Sequence, residues 1–177
     1  MPAAKRRRIC TNDWRPLVGT TGASVIGVVS DTHGVLRPDV VDALAGVDRL
    51  IHAGDVGNGT LLPQLEQVAP VTVVRGNVDD EAWAVAWPTS ATLEIHGHKL
   101  HIVHDLALID IDPAREGFSV VIYGHSHKPA IDFRQDILYL NPGSVGPRRF
   151  RLPVSYAVLH VNRRSVRPVL HTIPPSG

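Results

Sequence analysis

Cysteine and long apolar runs are scarce in this sequence of 177 residues. It contains one cysteine, Cys10, which excludes an intramolecular disulfide framework and a metal site built from several thiolates. We find no apolar run of the roughly 20 residues that a transmembrane helix needs, and the basic N-terminus lacks the apolar segment of a secretory signal. The sequence therefore predicts a soluble, cytoplasmic protein.

The fraction of aromatic residues and the net charge are low as well. Aromatic residues make up 5% of the chain, the net charge is +1, and the basic cluster KRRR occupies residues 5–8. A nuclease that binds single strands would need a basic groove with stacking aromatics, so nucleic acid is disfavoured as a partner. Residues 1–22 show no periodicity and are predicted to form a flexible extension, whereas residues 23–173 are predicted to form a single domain.

Histidine, by contrast, is abundant, with ten residues. Two of them, His125 and His127, stand in YGHSHKP, directly after an apolar, β-branched run that is typical of a buried strand. Abundant histidine with almost no cysteine favours metal binding by imidazole and carboxylate groups over structural zinc of the cysteine type. Taken alone, the two histidines are weak evidence, because protonated imidazoles can also hold phosphate.

The first half of the chain alternates strand and helix. The predicted elements are, in turn, a strand, a helix, a strand, a helix and a strand, at residues 24–30, 38–46, 48–54, 59–69 and 70–76. Thr60 is a candidate cap of the second helix. This order produces parallel strands joined by right-handed crossovers. The second half is rich in strands and begins with a hairpin that turns near Gly97 and His98, so we expect two packed sheets flanked by helices.

Each central strand ends at a small residue, and the next residue in the sequence is a potential metal ligand. The four pairs are Ser30 and Asp31, Gly54 and Asp55, Gly76 and Asn77, and Gly124 and His125. Because ligands gather outside the carboxyl ends of strands in α/β sheets, one site is predicted there. Together with His33, His104 and His127, these residues offer too many ligands for one tetrahedral zinc. They suit two cations that share a bridging carboxylate, an arrangement that promotes in-line displacement at phosphorus.

Five ordered blocks carry a resemblance to a known family: SDTHG, HAGDVGN, RGNVDD, IVHD and YGHSHKP. With the later LNPGSVGPRR, they resemble the calcineurin-like metallophosphoesterase superfamily, in particular its small bacterial and archaeal phosphodiesterase branch. The resemblance covers residues 25–161. It implies a four-layer α/β/β/α sandwich of two mixed sheets with flanking helices, in agreement with the strand pattern.

The resemblance also implies an activity, a cofactor and a set of residues. A metal-bridging hydroxide would hydrolyse a small phosphodiester or another phosphorylated compound, with two divalent ions, Mn²⁺ as the first expectation and Fe, Zn, Ni or Co as alternatives. The implied ligands are Asp31, His33 and His127 for the first ion, Asn77, His104 and His125 for the second, and Asp55 as the bridge. Of these, Asp55, Asn77 and His125 are expected to act in catalysis.

Two positions depart from the family's pattern. Val78 stands where many members have a histidine that is thought to protonate the leaving group, which argues against an efficient general monoesterase. Asp105 stands where the family usually has glycine, and its side chain could narrow access to the second ion or weaken phosphate binding.

Simpler interpretations remain for several of these residues. Asp31 and Asp55 could be caps or turn formers, and Asn77 could occupy a left-handed turn. His104 is selected by its motif position, whereas His96, His98 and His101 are expected in the hairpin or at the surface. His52 is expected to pack near the site without binding metal.

Other polar residues are expected near the site in supporting roles. Asn141 or Ser144 could orient ligands, and Asp79 and Asp80 could support the site or form a turn. Arg148 and Arg149 could meet a substrate phosphate, although exposed arginines are usually just solvated.

A scaffold is the alternative function from another class. A retromer subunit of the same family keeps the fold, has lost ligand residues and uses its surfaces to bind partners. Because all seven positions are intact here, a phosphodiesterase is preferred. Formation of a homo-oligomer is left open.

Overall fold

The computed structural model describes residues 22–149 and 151–174. Its elements, in chain order, are β1 (Ala23–Val29), α1 (Pro38–Ala43), β2 (Arg49–His52), α2 (Leu61–Glu66), β3 (Val71–Val73), β4 (Ser90–Ile95), β5 (His98–Val103), a 3-10 helix (Leu106–Leu108), β6 (Val120–Ile122), β7 (Ala130–Arg134), β8 (Ile137–Asn141), β9 (Val154–Asn162) and β10 (Ser165–Ile173). Apart from Gly22, the predicted N-terminal extension lies outside the described residues.

The strands form two mixed sheets of five strands each. The first has the order β10-β9-β1-β2-β3, in which β1, β2 and β3 run parallel and β9 and β10 pair antiparallel. The second has the order β4-β5-β6-β8-β7, with β5, β6 and β8 parallel and an antiparallel strand at each edge. The predicted α/β class with two mixed sheets is confirmed.

The main core lies between the two sheets. In β1, Ile26 and Val28 are fully buried and belong to the same apolar cluster as Ile102 of β5 and Ile122 of β6. Alternate residues of a strand point to opposite faces, which is why Val29 belongs instead to a second cluster on the other side of the sheet. Each such buried side chain stabilises the fold by about 1.5–3 kcal/mol.

The second cluster joins the two α-helices to the outer face of the first sheet. Val40 and Leu44 extend from α1 and its C-terminal end, and Leu65 of α2 is buried with them. Gly27 of β1 allows the close approach, because a Cβ there would lie 2.6 Å from Leu50 and 2.7 Å from Leu44. None of the described helices has the length and apolar character that crossing a membrane requires.

The structure differs from the sequence prediction in several elements. Both helices are six residues long and shorter than predicted. Thr60 occupies the predicted N-cap position of α2, but its side chain makes no capping bond, and the Asn58 side chain instead accepts the Thr60 N–H at 2.9 Å. Strands β7 and β10 were not predicted. β7 is mostly exposed, and β10 contains Pro168, which an edge strand tolerates.

Candidate metal centre

Five parallel strands end beside one group of polar side chains. The residues that follow them are Asp31 and His33 after β1, Asp55 after β2, Asn77 after β3, His104 after β5, and His125 and His127 after β6. These strands come from both sheets, so the site lies where the carboxyl ends of the two sheets meet. All seven residues singled out in the sequence are therefore found in one place.

The first group of potential ligands consists of Asp31, His33 and His127. The Nε2 atoms of the two histidines lie 3.1 Å apart, and Asp31 Oδ1 lies 3.3 Å from His127 Nε2 and 3.9 Å from His33 Nε2. One ligand atom of each residue lies within 4.8 Å of the others. Three donor atoms thus converge on one point.

The chemistry of this group fits a cation. Asp31 Oδ1 is buried and has no hydrogen-bond partner among the described residues, although leaving a buried carboxylate oxygen unpaired is costly. Burial raises the pKa of Asp31 to about 6. Burial, with the charges of Arg149 and His33, lowers the pKa of His127 to about 4. A neutral imidazole and a carboxylate that lacks a partner are suited to a divalent ion.

The second group consists of Asn77, His104, His125 and one oxygen of Asp55. Asn77 Oδ1 lies 3.1 Å from His104 Nε2 and 2.9 Å from His125 Nδ1. His104 Nε2 also lies 3.3 Å from Asp55 Oδ1. An amide oxygen, a carboxylate oxygen and two imidazole nitrogens, all of them potential metal ligands, therefore lie close together.

The orientation of His104 is fixed by the main chain. Its Nδ1–H donates to the carbonyl oxygen of Ala53 at 2.7 Å, which leaves Nε2 directed at Asn77 and Asp55. Such a bond to a carbonyl is how metal-binding histidines usually have their tautomer set. Burial alone would lower the pKa of His104, but the hydrogen bonds to Asp55 and Ala53 raise it above its usual value.

Asp55 lies between the two groups. Its Oδ1 faces His104, whereas its Oδ2 lies 3.8 Å from His33 Nε2. The Val78 N–H donates to Oδ1 at 3.0 Å. Burial alone would raise the pKa of Asp55, but the bonds from His104 and the Val78 amide lower it below its usual value. Asp55 is thus an ionised carboxylate with one oxygen toward each group.

The backbone at this site is strained. Asp31, His33, Asp55, His125 and His127 have φ angles of 55°, 45°, 54°, 65° and 57°. Residues other than glycine seldom adopt this left-handed region, and each instance costs on the order of 1–3 kcal/mol, so such strain typically gathers at functional sites. The interpretation of Asp31 and Asp55 as ordinary helix caps does not explain it.

Two glycines at strand ends bring the main chain close to these carboxylates. A Cβ at Gly76 would overlap Asp55 Oδ1, and a Cβ at Gly124 would overlap Ser30 Oγ and approach Asp31 Oδ2. The Ser30 hydroxyl donates to Asp31 Oδ2 at 2.6 Å. Sequence reasoning noted Ser30 only as a small residue, although a hydroxyl at the strand end was the available signal.

A buried carboxylate, Asp79, links two of the loops that carry ligands. It accepts hydrogen bonds from the backbone N–H groups of Val56, Gly57 and Gly76 at 3.1, 2.8 and 2.9 Å. Only 1% of its surface is exposed, whereas the neighbouring Asp80 is exposed. Asp79 therefore connects the loop of Asp55 with the loop of Asn77.

His52 packs beneath the first loop, as expected for a residue that does not bind metal. Its Nδ1 accepts the Gly54 N–H at 3.2 Å, and its Nε2 lies 2.9 Å from the Thr32 hydroxyl. That hydroxyl donates to the Val56 carbonyl at 2.9 Å, so Nε2 is the protonated nitrogen. Burial lowers the pKa of His52 to about 4.

Asn141 and Ser144 act on the backbone of the loops. The Asn141 Nδ2 donates to the Gly124 carbonyl at 2.7 Å and to the Ser126 hydroxyl at 3.1 Å. The Ser144 hydroxyl donates to the Asp31 carbonyl at 2.9 Å. Both residues thus position segments that carry potential ligands.

The remaining histidines of the hairpin lie elsewhere. His96 occupies the turn, and its Nε2 lies 2.9 Å from the Ser24 hydroxyl. His98 Nε2 donates to the Asn162 carbonyl at 2.9 Å. His101 lies in the hairpin, as one of the two expected positions, within β5; it is 4% exposed and contacts the edge of Phe118, so it is not a surface residue. None of the three faces the candidate metal centre.

Arg149 lies closer to the site than a merely solvated arginine would. Its Nη2 is 3.3 Å from His33 Nε2. Val78 adds an exposed apolar side chain directly after Asn77 and is 41% exposed. The rim of the site therefore offers a guanidinium beside the first group and no proton donor at residue 78.

Residues 25–164 match the calcineurin-like phosphoesterase superfamily domain. The chain therefore belongs to the calcineurin-like phosphoesterase superfamily, whose fold is that of a phosphoester hydrolase. A protein of Methanocaldococcus jannaschii named "probable metallophosphoesterase" is 37% identical over 136 residues, covering 70% of this chain and 69% of that protein. The phosphodiesterase YfcE of Escherichia coli K12 is 32% identical over 154 residues, covering 73% of this chain and 84% of YfcE.

Solved structures share the fold. Vacuolar protein sorting 29 of Cryptosporidium parvum aligns with a TM-score of 0.74 and 17% identity, covering 86% of this chain and 93% of that one. At this level of sequence identity, the similarity shows a common fold and does not show a common activity.

Proposed function

We propose that this chain is a phosphodiesterase that works with two divalent cations. The observation that carries the proposal is the position of Asp55, whose two carboxylate oxygens face two separate groups of ligands. Relatives that include a named phosphodiesterase support the substrate class. The substrate would be a small phosphodiester.

The seven residues would divide between two ions. Asp31, His33 and His127 would hold one, Asn77, His104 and His125 the other, and Asp55 would contact both. When bound, such a pair of cations activates a water molecule as the nucleophile and stabilises the charge that develops on phosphorus oxygens. Oxygen and imidazole ligands suit Mn²⁺, our first expectation, and also Fe, Zn, Ni or Co.

The protein's own groups would bind and orient the substrate. The Arg149 guanidinium, 3.3 Å from His33, is placed to pair with a phosphate oxygen. Asn77 and His125, which contact each other at 2.9 Å, would act in catalysis through the second ion, which they would help to hold. Val78 provides no proton for the leaving group, which would favour leaving groups that depart without protonation.

Hydrolysis of a bis-aryl phosphodiester and of the matching monoester tests this function. Metal-stripped protein is assayed with and without Mn²⁺, and Asp55→Asn is compared with Asp42→Asn, an exposed carboxylate of α1. The proposal requires diester cleavage that depends on Mn²⁺, survives in Asp42→Asn and is lost in Asp55→Asn. Folded protein without activity under any divalent metal would favour the scaffold alternative. The location of the protein in the cytoplasm remains a prediction, and the formation of a homo-oligomer remains open.

A further inference from the structure

A cleft of about 390 Å³ opens beside the second group of ligands. Asn77 and His104 of that group line it, and none of its lining residues belongs to the first group. Ligand pockets of enzymes commonly have volumes of roughly 300–1,000 Å³, so the cleft can hold a small organic group. Its position predicts that such a group would be attached to the phosphorus at the Asn77 side of the site.

The cleft carries one uncompensated negative charge. One cation, Arg75, and two carboxylates, Asp105 and Asp110, line it, so the formal charges of the lining sum to −1. The polar residues Thr89 and Ser90 also line it. These groups can hydrogen-bond a neutral polar or cationic substituent, and they offer no net attraction to an anionic one.

Asp105 is held in place between the cleft and the candidate metal centre. Its Oδ1 accepts the Ala107 N–H at 2.9 Å, which caps the 3-10 helix. Its Oδ2 lies 3.9 Å from His125 Nε2, and its side chain is 28% exposed. Because the cap restricts the side chain, the charge stays beside the second group of ligands.

This fixed charge bears on the charge of the substrate. A phosphodiester has one negative charge, whereas a phosphomonoester above neutral pH has nearly two, since its second pKa is about 6. In the monoester dianion, the two charges are shared by three equivalent terminal oxygens, and one of these occupies the place of the oxygen that carries the second organic group in a diester. When that oxygen points toward the cleft, it faces the Asp105 carboxylate, and like charges a few ångströms apart repel each other.

We propose that the cleft receives one organic group of a phosphodiester and that Asp105 is a specificity-determining residue that disfavours a second negative charge there. The inference rests on the proposed phosphodiesterase function and deepens it. It defines the substrate class as monoanionic diesters whose group in the cleft is uncharged or cationic. Phosphomonoesters, and diesters with an anionic group at this position, are disfavoured.

The test compares two substrates that share a leaving group, p-nitrophenyl methyl phosphate and p-nitrophenyl phosphate, at pH 8 with Mn²⁺. Asp105→Asn removes the charge and keeps a carbonyl oxygen that can accept the Ala107 N–H. Asp112→Asn is the matched control, because Asp112 caps a turn through Ala114 N–H at 3.1 Å, is exposed and does not line the cleft. The intrinsic reactivities of the two substrates cancel when the ratio of their kcat/KM values is compared across variants.

We expect Asp105→Asn to raise the monoester-to-diester ratio of kcat/KM roughly tenfold, the size of one partly screened charge interaction. Asp112→Asn should leave the ratio unchanged. Added NaCl should raise the ratio in the unmodified protein and have little effect in Asp105→Asn. Equal losses for both substrates in Asp105→Asn would overturn the inference, because they would give Asp105 only a structural role.

Equilibrium binding provides a readout that does not depend on turnover. Phenylphosphonate and methyl(phenyl)phosphinate differ by one charge and contain no ester bond that could be hydrolysed, and their affinities for the Mn²⁺-loaded protein are measured by calorimetry. The inference requires that Asp105→Asn improve binding of the dianion relative to the monoanion, again about tenfold. If the unmodified protein cleaves the diester but the ratio of the two affinities is the same in Asp105→Asn, the inference about Asp105 is overturned and the proposed function stands. Absence of Mn²⁺-dependent diester cleavage would contradict the proposed function itself.

Discussion

Asp55 directs its two carboxylate oxygens at two different histidines. Oδ1 lies 3.3 Å from His104 Nε2 and Oδ2 lies 3.8 Å from His33 Nε2. The first histidine follows a strand of the second sheet and the other follows a strand of the first sheet. A single side chain therefore connects the two halves of the sandwich at the candidate metal centre. The positions around it lead to predictions about stability, packing and pH.

Replacing Asp79 by asparagine should destabilise the fold and weaken Mn²⁺ binding. The carboxylate accepts three backbone N–H groups in a buried position, and an amide would turn an NH₂ group toward some of them. We expect the free energy of unfolding, measured by urea denaturation, to fall by roughly 2–4 kcal/mol. Asp80→Asn, at the exposed neighbouring residue, should change it by less than about 0.5 kcal/mol. Equal stabilities of the two variants would refute this role of Asp79.

A methyl group at Gly124 should damage the site more than the fold. In Gly124→Ala, the new Cβ would overlap Ser30 Oγ and approach Asp31 Oδ2, so Asp31 would be displaced. We expect a loss of at least tenfold in Mn²⁺ affinity, measured by calorimetry, and about 1–3 kcal/mol in stability.

Gly97→Ala is the control for backbone strain. Gly97 has a φ of 86°, and no atom would lie within 4 Å of a Cβ there, so the variant should lose about 1 kcal/mol of stability and keep its Mn²⁺ affinity. The explanation by overlap at Gly124 fails if both alanine variants bind Mn²⁺ equally well.

Stability should decrease in mild acid because of His52. Burial lowers its pKa to about 4 in the folded protein, whereas an unfolded histidine has a pKa near 6.5. The unfolded chain therefore takes up a proton below pH 6.5 that the folded protein does not accept until about pH 4. The stabilising contribution is complete above pH 6.5 and is lost as the pH falls toward 4.

The comparison with His52→Gln isolates this effect. Between pH 7 and pH 5, His52 should cost the metal-free protein about 2 kcal/mol, and the glutamine variant should lack that part of the pH dependence. Urea denaturation at both values measures it. Parallel pH dependence in the two proteins would mean that His52 accepts a proton in the folded state as readily as in the unfolded one.

Much of the fold and the candidate site could be predicted because strong local signals agree with the topology. The apolar run before Asp31 and the one before His125 each end at a small residue, and parallel strands bring such ends together. Strand β7 was missed because its residues are mostly exposed, so its pairing with β8 leaves little trace in the pattern. Its position depends on tertiary pairing, which periodicity does not report.

The supporting contacts were harder to predict than the potential ligands. The approach of Arg149 to His33 spans 116 positions in sequence, and the cleft that contains Asp105 is formed by three separate segments. Asp79 was expected near the site, but the three hydrogen bonds that its carboxylate accepts from backbone N–H groups depend on how two loops meet. Motifs identify residue types and order, whereas these contacts depend on loop conformation.

The most direct test of the account is the number of Mn²⁺ ions bound per chain, measured by calorimetry and by metal analysis after gel filtration. The proposed arrangement predicts two ions per chain in the unmodified protein and in Asp42→Asn. Asp55→Asn should lose high-affinity binding of at least one ion and weaken the other by tenfold or more, because its remaining oxygen carries no full charge. One ion per chain, or two bound with unchanged affinity in Asp55→Asn, would contradict the central role given to Asp55.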